Sequence, residues 1–327
     1  MNKPVRICLS AVFLCMMFFS CRPRKAVTVQ VLGTVCTVNL YEDGSDRLYD
    51  LVFECLDQID SEFSLNNPDS EINKINEAAG KNPVEVSADV SRVLEAALYY
   101  AEKSDGVFDP TIGPLVKLWG INTPNERVPS QEEIEKKLSL VDWKKVQLEK
   151  SNDKATVFLE EPGMILDLGG IAKGFAADEI CSILKKEKVK RAIIDLGGNI
   201  LVWGNKPDGT PWKVGIKNPY NEALDPPVIL KVEGGTSVVT SGVYERYFEQ
   251  DGIVYHHILN PKTGYPVQNG LLSSTVVCSS SMAADALSTT SFLLGPDVFE
   301  KLFDEAAVFI KSDMTVQAPP TLDYELN

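Results

Sequence analysis

Residues 191–259 read as a succession of short strands, and this run limits the possible folds more than any other feature of the chain. Apolar and polar side chains alternate through 191–202, 212–217, 228–233, 237–249 and 252–259, the period of a backbone with one buried face. Gly197-Gly198 turns the first stretch back on itself, and Asp251-Gly252 between the last two is a strong hairpin signal. Helical patterns lie on either side of this block instead of alternating with its strands. The absence of a regular βαβ rhythm predicts an α+β fold with mostly antiparallel sheets.

Outside that block, 26–41 alternates as a strand pair bent at Gly33. Apolar residues recur at helical spacing over 46–63, 87–104, 169–188 and 282–294, and a further helix is expected over 296–303. Ser130 and Glu133 form a capping box for another short helix. Strands are expected over 155–168, 273–279 and in AAVFIKSD, while PTIGPLVKLWG and INTPNERVP read as turn-rich walls for a pocket. No low-complexity linker interrupts the chain, so residues 21–327 are expected to form one domain of two lobes.

The N-terminus carries Lys3 and Arg6, then an apolar run from Ile7 to Phe19, then Ser20-Cys21. A positive start, a short apolar centre and a small residue form a secretory signal. The run is shorter than the roughly 20 residues a membrane-spanning helix uses. The expected outcome is cleavage after residue 20, a lipid on the Cys21 sulfur, and a protein anchored on the periplasmic side of the inner membrane. An uncleaved anchor is the alternative, with Phe18 where a lipoprotein signal usually has Leu. Cys36, Cys55, Cys181 and Cys278 are far apart and form no CxxC pair, which argues against zinc and for buried thiols, with a disulfide open.

The net charge of -14 and the lack of a basic stripe argue against nucleic acid as a partner. A phosphate-bearing ligand would need a metal or backbone amides. DLGG occurs at 167 and again at 195, each time after a short apolar strand. Paired glycines after an acid allow close backbone approach to a ligand, although most such turns are only turns.

Asp285 and Thr289 are four apart on an expected helix and so share a face. A carboxylate and a hydroxyl are hard oxygen donors that suit Mg2+ or Ca2+, unless Asp285 simply caps the helix and Thr289 packs. His256 and His257 are the only histidines and, adjacent on a strand, face opposite ways. Either is a candidate base near neutral pH or a structural ring. No GxSxG elbow and no Walker GxxxxGK[ST] is present.

LGT at 32–34, FSLNNPDSEINKIN at 63–76, GVFDPTIGPLVKLWG at 106–120, DLGGIAKGFAAD at 167–178, DLGGNI at 195–200, TSGVYERYF at 240–248, HILNPKTGYPV at 257–267 and ADALSTT at 284–290 occur in that order. Together they resemble the FAD:protein FMN transferase family, known as ApbE. The resemblance implies a T-fold-like two-lobed α+β architecture that binds FAD and Mg2+. It implies transfer of FMN to a threonine of an acceptor redox protein, such as a subunit of a sodium-pumping NADH:quinone reductase or related complex, with release of AMP. On matching positions, Mg2+ is assigned to Asp285, Thr289 and the Gly170 carbonyl. The flavin nucleotide is assigned to Leu32, Asn66, Val107, Phe108, Asp109, Asp167, Lys173, His257 and Ile258. His257 is the candidate base, with Asp285 the other catalytic candidate, and His256 the bystander.

Asn66 departs from the family, where an aromatic Tyr is common; a ring there would stack on FAD for about 1–3 kcal/mol. That departure predicts weaker FAD retention and some hydrolysis of FAD to FMN and AMP without an acceptor. An FAD pyrophosphatase and a flavin-binding lipoprotein without catalysis are therefore the alternatives.

Overall fold

The computed structural model describes residues 26–41, 44–151 and 154–327; the N-terminal run and Cys21 lie outside the described residues. In chain order its elements are β1 (Val27–Val31), β2 (Thr34–Asn39), α1 (Asp46–Phe63), α2 (Glu71–Glu77), β3 (Val84–Val86), α3 (Ala88–Lys103), α4 (Gly113–Trp119), α5 (Gln131–Leu138), β4 (Val146–Ser151), β5 (Lys154–Leu159) and α6 (Ala172–Lys186). There follow β6 (Ala192–Leu196), β7 (Asn199–Trp203), β8 (Trp212–Ile216), β9 (Val228–Val232), β10 (Thr236–Gly242), β11 (Tyr247–Gln250), β12 (Ile253–His256), β13 (Leu271–Cys278), α7 (Ser281–Leu294), α8 (Pro296–Leu302), β14 (Ala306–Lys311), β15 (Val316–Gln317) and β16 (Asp323–Leu326).

An eight-stranded sheet runs in the order β1-β2-β6-β7-β10-β13-β14-β15, with every neighbour antiparallel. Two three-stranded sheets, β16-β9-β8 and β3-β5-β4, and the β11–β12 ribbon complete the strands. The architecture is the expected α+β type. Asp251 and Gly252, both at positive φ, make the tight turn of the β11–β12 hairpin.

Several expectations are corrected. The expected strand 237–249 is broken between Gly242 and Tyr247 into β10 and β11, and the expected strand 252–259 ends at His256. Only Lys154–Leu159 of the span 155–168 is a strand; residues 164–168 run extended, bridged once through Ile165 to Ile112. The turn-rich stretch after Pro110 contains α4, opened by Pro114 in its first turn and closed by Gly120 in the left-handed conformation. Its Pro114 and flanking glycines read as turn signals and masked the helix in sequence.

Helix α1 forms because Ser45 caps its N-terminus and Leu48, Val52, Leu56, Ile59 and Phe63 repeat on one face. That face enters the largest hydrophobic cluster, which also takes in Val90, Val93, Leu94, Phe175 and Ile180. Burial of each such side chain contributes about 1.5–3 kcal/mol. Helix α7 differs: it packs against α6, β10 and β13 and is buried along most of its length, hydroxyls included. Those hydroxyls bond locally, Thr290 to the Ala286 carbonyl and Ser291 to that of Ser288, which offsets the cost of their burial. Cys36, Cys55, Cys181 and Cys278 are free thiols.

Candidate active site

The first DLGG runs directly into α6. Asp167 Oδ1 accepts from the Gly169 amide at 2.9 Å, bending the chain so that Ala172, Lys173 and Gly174 form the first turn of the helix. Amides of a first turn have no partner in their own helix. Gly174 N–H finds one in α7: it donates to Asp285 Oδ2 at 2.9 Å. Such close approach requires glycine, since a Cβ at 174 would lie 2.2 Å from the Ser281 carbonyl oxygen.

Asp285 is 3% exposed, and its second oxygen lies 3.3 Å from Lys173 Nζ. The same ammonium donates to the Gly169 carbonyl at 2.9 Å. One turn along α7 is Thr289, and Gly170 sits against it: a Cβ on Gly170 would be 3.6 Å from Thr289 Oγ1 and 3.4 Å from the Phe108 ring. The structure thus brings Asp285, Thr289, Gly170, Lys173 and Phe108 together at the α6–α7 junction. Among the described residues no three His, Cys, Asp or Glu side chains gather as a metal centre. A cation here would rest on one carboxylate plus neutral oxygens, a donor set that fits Mg2+, which keeps several waters.

His256 closes β12, whereas His257 lies just beyond it in a bend, so the expected strand does not reach the second ring and the two meet different surroundings. His256 is the buried ring: its Nδ1 accepts from the Ile258 amide at 3.3 Å, so Nε2 carries the proton and donates to the Val267 carbonyl at 2.8 Å. It also meets the Phe292 ring edge to face. His257 is half-buried, and its Nδ1 lies 3.2 Å from the Arg246 carbonyl. A carbonyl only accepts, so Nδ1 holds the proton and Nε2 keeps a free lone pair. Burial, reinforced by the Arg246 and Lys173 cations, pushes the His257 imidazole down to about 3. Burial lowers His256 as well.

Arg246 was not singled out by sequence reasoning, although it sits within TSGVYERYF. Its Nη2 reaches the Gly33 carbonyl at 3.3 Å, which ties the Leu32-Gly33 turn to the segment before β11. Leu32 has φ of 55°, a strained value for a residue with a side chain, and its amide donates to Asp60 Oδ1. Burial raises the Asp167 carboxyl, against which Arg246, Lys173 and Lys117 pull it back. The acidic chain therefore brings three cations to bear on Asp167.

Other expected residues are placed differently. Asp109 spends its carboxylate on the Thr111 amide and hydroxyl and on the Trp143 amide, so it braces the loop that carries Val107 and Phe108. The Ile258 side chain packs into the cluster of Val239, Leu271 and Leu287, and its carbonyl accepts from Val267 N. Asn66 is exposed in the turn after α1. Two further residues were missed. The Asn73 amide donates to the carbonyls of Ser64, Leu65 and Asn67 and so fixes the loop bearing Asn66. Asn76 exchanges two hydrogen bonds with the Leu166 backbone and holds the segment leading to Asp167. Their i, i+3 spacing in SEINKIN was the available signal. The second DLGG is a hairpin turn between β6 and β7, with Asp195 Oδ1 accepting from Gly198.

The chain is also similar to known proteins over most of its length. The ApbE family model matches residues 32–310. The FAD:protein FMN transferase of Treponema pallidum (strain Nichols) is 38% identical over 307 residues, covering 88% of this chain and 84% of that protein. The one of Klebsiella pneumoniae (strain 342) is 36% identical over 300 residues, covering 90% and 92%. The crystal structure of the ApbE protein from Thermotoga maritima superposes with a TM-score of 0.80 at 32% identity, covering 91% of this chain and 97% of that one. The flavin transferase ApbE from Vibrio cholerae gives 0.79 at 26% identity with the same coverage. On the family match and on these relatives, the chain belongs to the ApbE family.

Proposed function

We propose that this chain is a Mg2+-dependent FAD:protein FMN transferase that moves FMN from FAD to a threonine hydroxyl of an extracytoplasmic redox protein and releases AMP. The observation that carries the reading is the convergence at the α6–α7 junction: Asp285 and Thr289 one turn apart, Gly170 against Thr289, and Lys173 against Asp285. Asp285, Thr289 and the Gly170 carbonyl would hold the cation, which when bound supplies positive charge to the diphosphate. Lys173 and Arg246 add fixed cations on the same side.

In the step itself the threonine oxygen bonds to the phosphorus of the FMN half, the bridging P–O bond breaks, and AMP departs with the electron pair. The hydroxyl proton passes to His257 Nε2, the ring atom left with a lone pair. Burial is the main cause of the low His257 value, and Arg246 and Lys173 add to it, so a diphosphate arriving beside those cations relieves their part and moves the imidazole upward. Asp285 is the less suited base, because its carboxylate is engaged by Gly174 and Lys173.

Asn66 favours a second activity. Asn66 is exposed and departs from the aromatic residue that the family resemblance implies there, so FAD is held less firmly and water can take the place of the threonine, giving FMN and AMP. The Ser20-Cys21 pattern supports a lipid anchor and an acceptor outside the cytoplasm.

Incubating the protein with FAD and Mg2+, with and without a threonine-bearing acceptor, tests the proposal. Flavin covalently attached to the acceptor, seen by mass, together with AMP is the expected result. AMP without attached flavin reduces the reading to a pyrophosphatase, and neither product overturns it in favour of simple binding.

A further inference from the structure

Helix α7 meets the central strand β10 through a connected row of hydroxyls. Ser241 Oγ, on β10, lies 2.8 Å from Ser288 Oγ and 3.3 Å from Thr289 Oγ1. Ser288 Oγ also lies 2.9 Å from the Asp285 carbonyl oxygen, and there it must be the donor. A hydroxyl has one proton. Ser288 has committed its own to the carbonyl, so it accepts from Ser241. Ser241 has then committed its proton to Ser288, so toward Thr289 it can only accept. Thr289 is left as the donor at the head of a one-way chain running Thr289, Ser241, Ser288, Asp285 carbonyl.

We infer that Ser241 is a positioning residue: it draws the Thr289 proton toward β10 and leaves the Thr289 lone pairs for a divalent cation beside Asp285 and Gly170. The inference rests on the cation reading given under Proposed function. Without Ser241 the Thr289 hydroxyl could turn its proton onto the carbonyl four residues back or toward the cation itself, where an O–H dipole opposes binding. Ser241 is well placed to enforce one orientation, because β10 is paired on both edges and Ser241 is in register with Ser274 of β13. Its 3.3 Å contact with Thr289 is long for a hydroxyl pair. A cation on Thr289 Oγ1 makes that hydroxyl a stronger donor, so orientation and cation binding reinforce each other.

Mn2+ titrated into the protein, followed by loss of the free-ion EPR signal, reads cation affinity without turnover. Loss of an outer partner of a metal ligand weakens binding about 10- to 100-fold, the result expected for Ser241→Ala, with Ser288→Ala shifted in the same direction. Ser241→Thr, which keeps the hydroxyl, is expected to bind as wild type. Cation-free melting curves check that each variant folds, and if Ser241→Ala does not, Ser288→Ala decides by the same criterion. A merely structural Ser241 would lower the melting temperature and leave the affinity of the folded protein unchanged. Wild-type binding with an unchanged Ser241→Ala affinity overturns this inference alone, whereas no binding by wild type overturns the cation reading and the inference with it.

Discussion

Asp178 and Asp285 cap each other's helices. Asp285, on α7, accepts from Gly174 N in the first turn of α6, while Asp178, on α6, accepts from Ser280 Oγ and from the Ser281 and Met282 amides at the start of α7. A carboxylate at a helix N-terminus satisfies orphan donors and meets the positive end of the dipole. The candidate cation ligand and the residue that sets its helix in place thus belong to one reciprocal clamp.

Asp178→Ala should remove three hydrogen bonds to a charged acceptor and cost about 2 kcal/mol of stability. Because α7 carries Asp285 and Thr289, flavin transfer should fall as well. A melting curve superimposable on wild type would show that the α7 cap does not depend on Asp178.

Gly174→Ala places a methyl against the Ser281 carbonyl oxygen, a backbone atom that can yield only if α6 and α7 separate. Overpacking of this kind costs about 1–3 kcal/mol, and here it also pulls the 174 amide from Asp285. Denaturant unfolding of the variant is the measurement, and stability equal to wild type would refute the close approach.

Both histidines have folded pKa values below the ordinary 6.5, so both are neutral in the native state near neutral pH. The sign follows: their contribution to stability is present above about 6.5, and His257's is lost as pH falls from there toward about 3. With only two histidines in the chain, imidazole NMR signals can be followed individually. His257 should not titrate between pH 8 and pH 6 in the ligand-free protein, His256 should titrate below its ordinary value, and His257→Gln should flatten part of the acid-side loss of stability. A His257 signal titrating at its ordinary value would contradict the joint effect of desolvation, Arg246 and Lys173 on this ring.

Asp285→Asn keeps the shape and an oxygen for the Gly174 amide but removes the negative charge. Loss of one electrostatic contribution at a reacting diphosphate lowers rate about 100- to 1000-fold, the expected drop in flavin attached per minute. Higher Mg2+ should recover part of it. Wild-type rates at ordinary Mg2+ would remove Asp285 from the site.

Asn66→Tyr adds a ring on an exposed turn already braced by Asn73, so the substitution should leave the fold intact. Stacking worth about 1–3 kcal/mol should raise FAD retention on gel filtration and slow acceptor-free release of AMP. Unchanged retention would mean that position 66 does not meet the nucleotide.

The parts legible in sequence were those that repeat a period or obey a capping rule. α1, α3 and α7 announce themselves by apolar spacing, the 251–252 hairpin by Asp-Gly, and the Asp285–Thr289 pair by its four-residue interval. α2 and α4 were hidden among turn residues, Asn66 to Ser70 before the one and Pro110 to Gly120 around the other, which read as loop. The adjacent histidines were expected to face apart on one strand, but β12 stops at His256, and only the Phe292 ring and the Val267 carbonyl show which surroundings that ring meets. Asn76 was invisible as a clamp because its partner, Leu166, lies 90 residues away in sequence. Arg246 was hidden in the same way: its contact with Gly33 spans the chain.

Ser241 lies on a strand flanked by β7 and β13, whereas the hairpin leading to His257 pairs only with itself. Backbone opening at the first location must disrupt the large sheet, while the hairpin is held mainly by the packing of Phe248 and Tyr255 against Trp119. The oxygen row behind Thr289 thus inherits the stiffness of the large sheet, and His257 inherits its place from an aromatic cluster.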